Sequence, residues 1–239
     1  MINVYRKKII AAMESNLPLA TVFLPSSING LVLWLKADSL ALADGDAVTT
    51  WTDSSGLGNN ATQAVVDNKP LYKVNIINGK PVVRFGGVDD FLSVPNIDFT
   101  DVTVFGVTTN VTNNRNLNPI LGNTTWGSFQ PCSDIPTYGA LIYSTGEGIT
   151  KTGNNYITPT ILVGSNVNFW ANGVNQINNG TLSAFHISYV GYSGNSIDIN
   201  YFFIGDIAEI IVYSSALSDA NRIKVEDYLS ARWGITVTH

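Results

Sequence analysis

The sequence predicts an all-β fold, a two-sheet antiparallel sandwich closed by one short C-terminal helix. Three observations predict it. About a dozen short runs rich in β-branched and aromatic residues are separated by turn residues roughly every 8 to 15 positions, a spacing that suits a sandwich and not alternating strands and helices. An Asn172-Gly173 step stands between apolar residues, a strong hairpin signal because both residue types tolerate positive φ. The period then changes near the C-terminus. Ile204 to Tyr213 reads as a largely buried strand, and beyond it Val225, Tyr228 and Leu229 fall on one helical face.

Residues 1–27 read as an N-terminal helical or extended arm, and residues 28–239 as the sandwich. Arg6, Lys7 and Lys8 precede an apolar run that Glu14, Asn16 and Pro18 interrupt, so the segment copies a signal peptide only superficially and is too short and polar to span a bilayer. A short amphipathic helix over about Val4 to Ser15, then an extended stretch through Pro25, is the plainer expectation. Its apolar residues Tyr5, Ile9, Ile10, Leu17 and Phe23 are those expected to dock, on this domain or on a neighbouring subunit.

Ile28 to Lys36 opens the sandwich, with Leu31, Leu33 and Leu35 on one face and Val32 and Trp34 on the other. Asp38 to Asp46 is turn material, Ala47 to Asp53 a short strand, and Ser54 to Asn60 a polar loop whose glycines suit positive φ. Lys80 to Phe85 and Phe91 to Val94 are strands flanking a tight turn. Asp101 to Thr109 carries apolar residues on both faces, as a central strand does. From Pro119 to Thr160 the pattern weakens, and strands are expected near Tyr138 to Ser144 and Tyr156 to Val163. Phe185 to Tyr192 and Tyr201 to Ile204 continue the sheet. Ser218 is the expected N-cap of the final helix, with Asp219 in its first turn and Gly234 as its C-cap.

Two stretches carry a family resemblance. LWLKAD from Leu33, DGDAVTTWTDSSGLGNNATQ from Asp44 and INGKPVVRFGGVDDFLSV from Ile77 form one. The other is the C-terminal series Gly205, Ile207-Ala208-Glu209, Leu217-Ser218, Tyr228-Leu229 and Arg232-Trp233-Gly234. Together they resemble the concanavalin A-like, laminin-G-like jelly-roll domains of phage structural proteins and bacterial surface proteins, over roughly Gly30 to Ile235 and weakly in the middle. The resemblance implies a jelly-roll sandwich. It also implies a non-enzymatic virion structural or adhesive protein, a capsid, tail or fibre-associated module, located in the virion. Its partners would then be other virion or surface protein subunits, met through residues 1–27. The alternative is a carbohydrate-binding module of a secreted or bacterial cell-surface protein, and a glycoside hydrolase ranks below both.

Composition narrows the chemistry. Charged residues are 13% of the chain, the formal net charge is -5, and between Phe85 and Asn221 the basic residues are Arg115 and Lys151 alone, which excludes a phosphate-contacting surface there. Nucleic acid is therefore not an expected partner, nor is membrane insertion. Cys132 is the sole cysteine, so neither an intrachain disulfide nor a thiolate metal cluster is available.

Carbohydrate binding on a sandwich calls for an aromatic platform with nearby amides. Trp126, Phe129, Tyr138 and Tyr156 are the candidate rings, and Asn123 and Asn154 the candidate amides. No cofactor is expected other than calcium, for which Asp89, Asp90 and Asp53 are candidate ligands if the fold joins their loops, although no D-x-D-x-D-G spacing is present. No catalytic residue is assigned. The glutamates Glu14, Glu147, Glu209 and Glu226 do not form the closely spaced E-x-D-x-x-E motif of glucanases that share the expected fold, and His186 lies in a strand-like run. Asp206 and Glu209 are expected to serve in capping, in loop bonding or in pairing with Arg84 or Arg232.

Overall fold

The computed structural model describes residues 22–110, 118–124, 128–135, 138–143, 158–165, 168–177, 185–194 and 200–239. In chain order its strands are β1 (Leu31–Lys36), β2 (Thr50–Trp51), β3 (Ala61–Thr62), β4 (Leu71–Ile77), β5 (Lys80–Gly86), β6 (Leu92–Phe99), β7 (Thr103–Asn110), β8 (Leu121–Gly122), β9 (Ser128–Ile135), β10 (Tyr138–Tyr143), β11 (Thr160–Ser165), β12 (Asn168–Ala171), β13 (Val174–Ile177), β14 (Phe185–Val190), β15 (Tyr192–Gly194), β16 (Asn200–Phe202) and β17 (Ile204–Tyr213). One α-helix follows, α1 (Asp219–Trp233). All pairings are antiparallel. Among the described residues they make an 8-stranded sheet, a 7-stranded sheet and a separate two-stranded ribbon of β15 and β16.

Strand β17 is the axis of the larger sheet, and its residues Gly205 to Tyr213 are all buried. One edge pairs with β7 along nearly its whole length. The other edge is divided: Ile204 to Ile207 pair with β5, and Glu209 to Tyr213 pair with β1. The first and last strands of the domain are therefore direct neighbours. A register shift between Ile207 and Glu209 breaks the ladder with β7. Such a bulge puts two successive side chains on the same face. Ile207, Ile210 and Val212 thus enter the core shared with the smaller sheet, while Ala208, Ile211 and Tyr213 enter a second core beneath α1.

The shared core joins both large sheets. Leu33, Val83, Phe85, Val104 and Leu162 meet Trp51, Leu92, Ile120, Phe129 and Ile187. The second core lies on the opposite face of the 8-stranded sheet, where Val225, Leu229 and Trp233 of α1 cover Phe105, Val107, Ile161 and Val163. The helix thus covers a sheet face. It begins at Ser218 and ends at Gly234, whose φ of 69° and N–H bond to the Ser230 carbonyl make the expected left-handed cap. The hairpin turn at Asn172-Gly173 forms as expected, with φ values of 49° and 81°. The same chemistry at Asn78-Gly79 closes β4 onto β5, and β4 is a strand that sequence patterning passed over.

Glu209 is the polar centre of the second core. Its Oε1 accepts hydrogen bonds from the Trp34 indole at 2.7 Å and the Tyr228 hydroxyl at 3.1 Å, and its Oε2 accepts the Trp233 indole at 2.7 Å. Arg232 Nε lies 3.0 Å from Oε2 as an ion pair whose N–H geometry falls short of a hydrogen bond. The Arg232 guanidinium also holds Asp38 at 2.6 and 2.8 Å. Arg84 and Asp206 form a fork–fork pair, with Nε donating to Oδ1 at 2.6 Å and Nη2 to Oδ2 at 2.8 Å. Both expected carboxylate–arginine pairings are present, with Arg84 serving Asp206 and Arg232 serving Glu209.

Burial pushes the Glu209 carboxyl up, and its donors Trp34, Arg232, Trp233 and Tyr228 pull it partly back. The folded protein then binds this proton more tightly than the unfolded chain. Its contribution to stability is greatest below the ordinary carboxylate range and declines as pH rises toward the raised value. Glu209→Ala strands two indole N–H groups and a partly buried guanidinium, and is expected to cost about 3–5 kcal/mol in urea unfolding. Glu209→Gln is expected to cost less and to flatten the decline in stability above the carboxylate range.

Candidate functional site

Four half-buried aromatic rings gather where β6, β14 and the β15–β16 ribbon meet. The Phe91 and Tyr189 centroids are 5.6 Å apart, Tyr189 and Tyr192 5.0 Å, Phe91 and Tyr192 5.6 Å, and Tyr192 and Phe202 5.2 Å. Tyr192 touches the other three and is the hub. Edge-to-face and tilted contacts of this kind hold rings in fixed relative positions and contribute about 0.5–1.5 kcal/mol per pair.

Each ring is placed by local backbone structure. On β14, Ile187 and Val190 are buried in the shared core, and a register shift against β6 falls between Ile187 and Tyr189. That irregularity lets Ser188 be followed by an outward Tyr189, directly opposite Ser93 of β6, whose neighbours Leu92 and Val94 are buried. Gly191 then turns the chain out of the sheet at φ +81°, where a Cβ would stand 2.5 Å from the Phe85 ring. Its N–H donates to the Ile120 carbonyl at 2.9 Å, and its carbonyl accepts the Phe203 N–H at 2.8 Å. Beyond this turn Tyr192 faces Phe202 as its cross-strand partner in the ribbon. Phe91 is fixed from its backbone, its N–H donating to the Asn68 carbonyl and its carbonyl accepting the amide of buried Gln63, both at 3.1 Å.

Polar groups lie on the same two strands. Ser188 donates to the exposed Asn96 at 2.5 Å. Burial, then the neighbouring Tyr189, pushes the Tyr192 phenol up, so it stays protonated and able to donate through the neutral range. A cluster of ring faces with hydroxyl and amide neighbours offers apolar contact and hydrogen bonding together, which suits a small polar ligand with apolar C–H faces.

Of the residues singled out from sequence, Phe129 and Asn123 lie outside the ring cluster. Phe129 is wholly enclosed in the shared core. The buried Asn123 donates its amide to the His186 carbonyl at 2.8 Å, bracing β14 from behind. Tyr138 lies in β10. Trp126, Asn154 and Tyr156 fall outside the described residues, as do Tyr5, Ile9, Ile10 and Leu17 of the arm. Phe23 packs against the second core, with its ring 6.4 Å from Tyr228.

Of the candidate calcium ligands, Asp53 and Asp90 accept hydrogen bonds from their own loops. Asp53 accepts the N–H groups of Trp34, Ser55 and Asn59 and the Ser55 hydroxyl, at 2.6 to 3.0 Å. Asp90 accepts the Gly86 N–H at 2.5 Å, and burial raises its carboxyl despite that bond. Asp89 is exposed. Among the described residues, no group of three or more His, Cys, Asp or Glu is placed to hold a metal ion.

No family model matches the chain, and no curated protein does. Solved structures match it in fold. The Trypanosoma rangeli sialidase in complex with sialic acid aligns with a TM-score of 0.59 and 14% identity, covering 95% of this chain and 39% of that one. Domain 4 of AbnA, a GH43 extracellular arabinanase from Geobacillus stearothermophilus, in complex with arabinotriose, aligns at 0.57 and 16% identity, covering 82% of this chain and 97% of that one. A chain described as the HCR/D W1238A mutant aligns at 0.52 and 16% identity, covering 87% of this chain and 55% of that one. This chain therefore spans well under half the length of the sialidase.

These matches correct several expectations. The architecture is the multi-sheet β fold that the matched chains share, in place of a two-sheet jelly-roll of the concanavalin A-like, laminin-G-like family. A physical contribution to the difference is the turn at Gly191, which diverts the chain from β14 into a third, separate sheet. The reading as a non-enzymatic virion structural or adhesive protein is overturned as well, since the matches include a sialidase and a domain of an arabinanase. Virion location and virion subunits as partners fall with it. No helix among the described residues is long and apolar enough to cross a membrane, which leaves strand-built spans unaddressed.

Sequence patterning treated Phe185 to Tyr192 as sheet and nothing more. The signal for the ring cluster was its aromatic density, with Phe91, Tyr189, Tyr192, Tyr201 and Phe202 close to strand ends. Gly191→Ala is expected to destabilise the protein by about 1–3 kcal/mol, through strain at positive φ and the clash with Phe85. It should also lower the near-ultraviolet circular dichroism signal of the ring cluster, which thermal melts followed at both wavelengths will test.

Proposed function

We propose that this chain is the carbohydrate-recognising part of a secreted or cell-surface carbohydrate-active enzyme of the sialidase or GH43 arabinanase kind. The observation that carries this reading is the cluster of Phe91, Tyr189, Tyr192 and Phe202, with its hydroxyls and the neighbouring Asn96. Sugar rings present C–H faces edged with hydroxyls. Fixed aromatic rings next to hydrogen-bonding groups complement both features, and preorganisation by ring–ring contact lowers the entropy lost on binding. The alignment over nearly all of an arabinanase domain crystallised with arabinotriose supports the same reading.

The mechanism is one of holding. The cluster would keep a saccharide against the enzyme and raise its local concentration at a catalytic site. The most buried carboxylates are committed to structure. Glu209 is bonded to Trp34, Tyr228 and Trp233, and Glu226 is engaged by Arg222. Isothermal titration with a panel of oligosaccharides, arabinotriose included, is the direct test. Tyr192→Ala removes the hub of the cluster and is expected to weaken binding about tenfold or more, whereas Lys224→Ala on α1 should leave it unchanged. Binding to no saccharide, or equal binding by wild type and Tyr192→Ala, would refute the proposal.

A further inference from the structure

We infer that the saccharide taken by the ring cluster is neutral, and that the surface around the cluster selects against sialylated and uronic-acid glycans. The inference rests on the carbohydrate reading above and goes beyond it, because the sialidase match by itself would suggest an acidic sugar.

Charge is segregated by sheet. The strands and helix on one side carry Lys36, Lys73, Lys80, Arg84, Arg222, Lys224 and Arg232, all within the 8-stranded sheet and α1. Most of these are already committed, Arg84 to Asp206 and Arg232 to Asp38 and Glu209, for example. The strands of the 7-stranded sheet and the ribbon contain neither lysine nor arginine in their sequences. Their surroundings are acidic. Asp89 and Asp90 immediately precede Phe91, Asp67 adjoins the Asn68 whose carbonyl anchors Phe91, and the exposed Asp98 pairs in register with His186 on β14. Lys69, half-buried in the turn before β4, adjoins Asn68, and Arg84, the last basic residue before Phe91, is held by Asp206.

A carboxylate-bearing sugar is recognised by a fork of arginine donors or a lysine point charge, and it loses hydration on binding that such a partner must replace. Here its carboxylate would meet aspartates. The hydroxyl, amide and ring groups present complement a neutral sugar, so discrimination arises from repulsion of the wrong ligand as well as attraction of the right one. The aspartates act through the field around the cluster, and their contribution is screened by salt.

The test compares matched glycans of which one member is neutral and the other carries one or more carboxylates. Lactose against sialyllactose and galactotriose against trigalacturonic acid would be measured on an array and by titration, within a wider panel of neutral and acidic oligosaccharides. The expected result is binding of neutral members, with acidic counterparts about tenfold weaker or more at low salt and the gap narrowing as salt rises. The double variant Asp67→Asn, Asp89→Asn, at two exposed aspartates, should narrow the same gap while leaving neutral affinity within about twofold. Equal or tighter binding of the acidic member, lost in Tyr192→Ala, would overturn this inference and leave the carbohydrate reading intact. Failure of every glycan to bind would overturn both.

Discussion

The structure depends on one buried carboxylate. Glu209 sits on the axial strand β17, under α1, and gathers Trp34 from the first strand together with Tyr228, Arg232 and Trp233 from the helix. A buried anion is unfavourable unless its oxygens are fully engaged, so the helix, first strand and last strand must arrive together. The bulge between Ile207 and Glu209 makes this possible. It turns Glu209 toward the helix while keeping Ile207, Ile210 and Val212 in the core shared with the other sheet. Arg232 extends the network to Asp38, and Lys80 approaches the same aspartate at 3.7 Å.

This constraint divides the molecule by role. The 8-stranded sheet has its outer face sealed by α1 and holds its cations in ion pairs, so its chemistry is spent on cohesion. The smaller sheet contributes one face to the shared core, and its other face carries Ser93, Ser188, Tyr189 and Asn96 toward solvent beside the ribbon. Gly191 joins the two purposes. Its positive φ lets β14 end against Phe85 in the core while delivering Tyr192 to the surface, so the site is set by the same packing that stabilises the fold. The placement is what a binding surface needs, since rings held on strands keep their geometry better than rings on loops.

Much of the framework was legible in the sequence. The Gly234 cap, the Asn172-Gly173 turn and the double-sided apolar strand β7 follow from local chemistry that the tertiary structure leaves in force, whereas Ser218 occupies the N-cap position without a side-chain capping bond. The motifs that suggested a family resemblance are largely packing motifs. Trp34, Glu209 and Trp233 stand out in the sequence because they interlock, and an interlock of this kind says how a chain is held together and not what it does. That is why the virion reading failed while the strand inventory largely stood. The binding surface was illegible for a different reason. Period-two reasoning puts Tyr189 and Ile187 on one face, and only the irregularity in β14 separates them. Likewise, Phe91 and Phe202 become neighbours through a ribbon whose departure from the sheet depends on a single glycine, and nothing in their spacing announces it.

The central claim is that the ring cluster, and not the surface where Phe23 packs beside Tyr228 of α1, meets the saccharide. Nuclear magnetic resonance titration of the whole chain with a bound neutral oligosaccharide tests it most directly. The account predicts shifts concentrated at Phe91, Asn96, Tyr189, Tyr192 and Phe202, with intermolecular contacts from the sugar C–H protons to those rings. Shifts centred on Phe23, Lys224 and Tyr228, with the cluster silent, would contradict it.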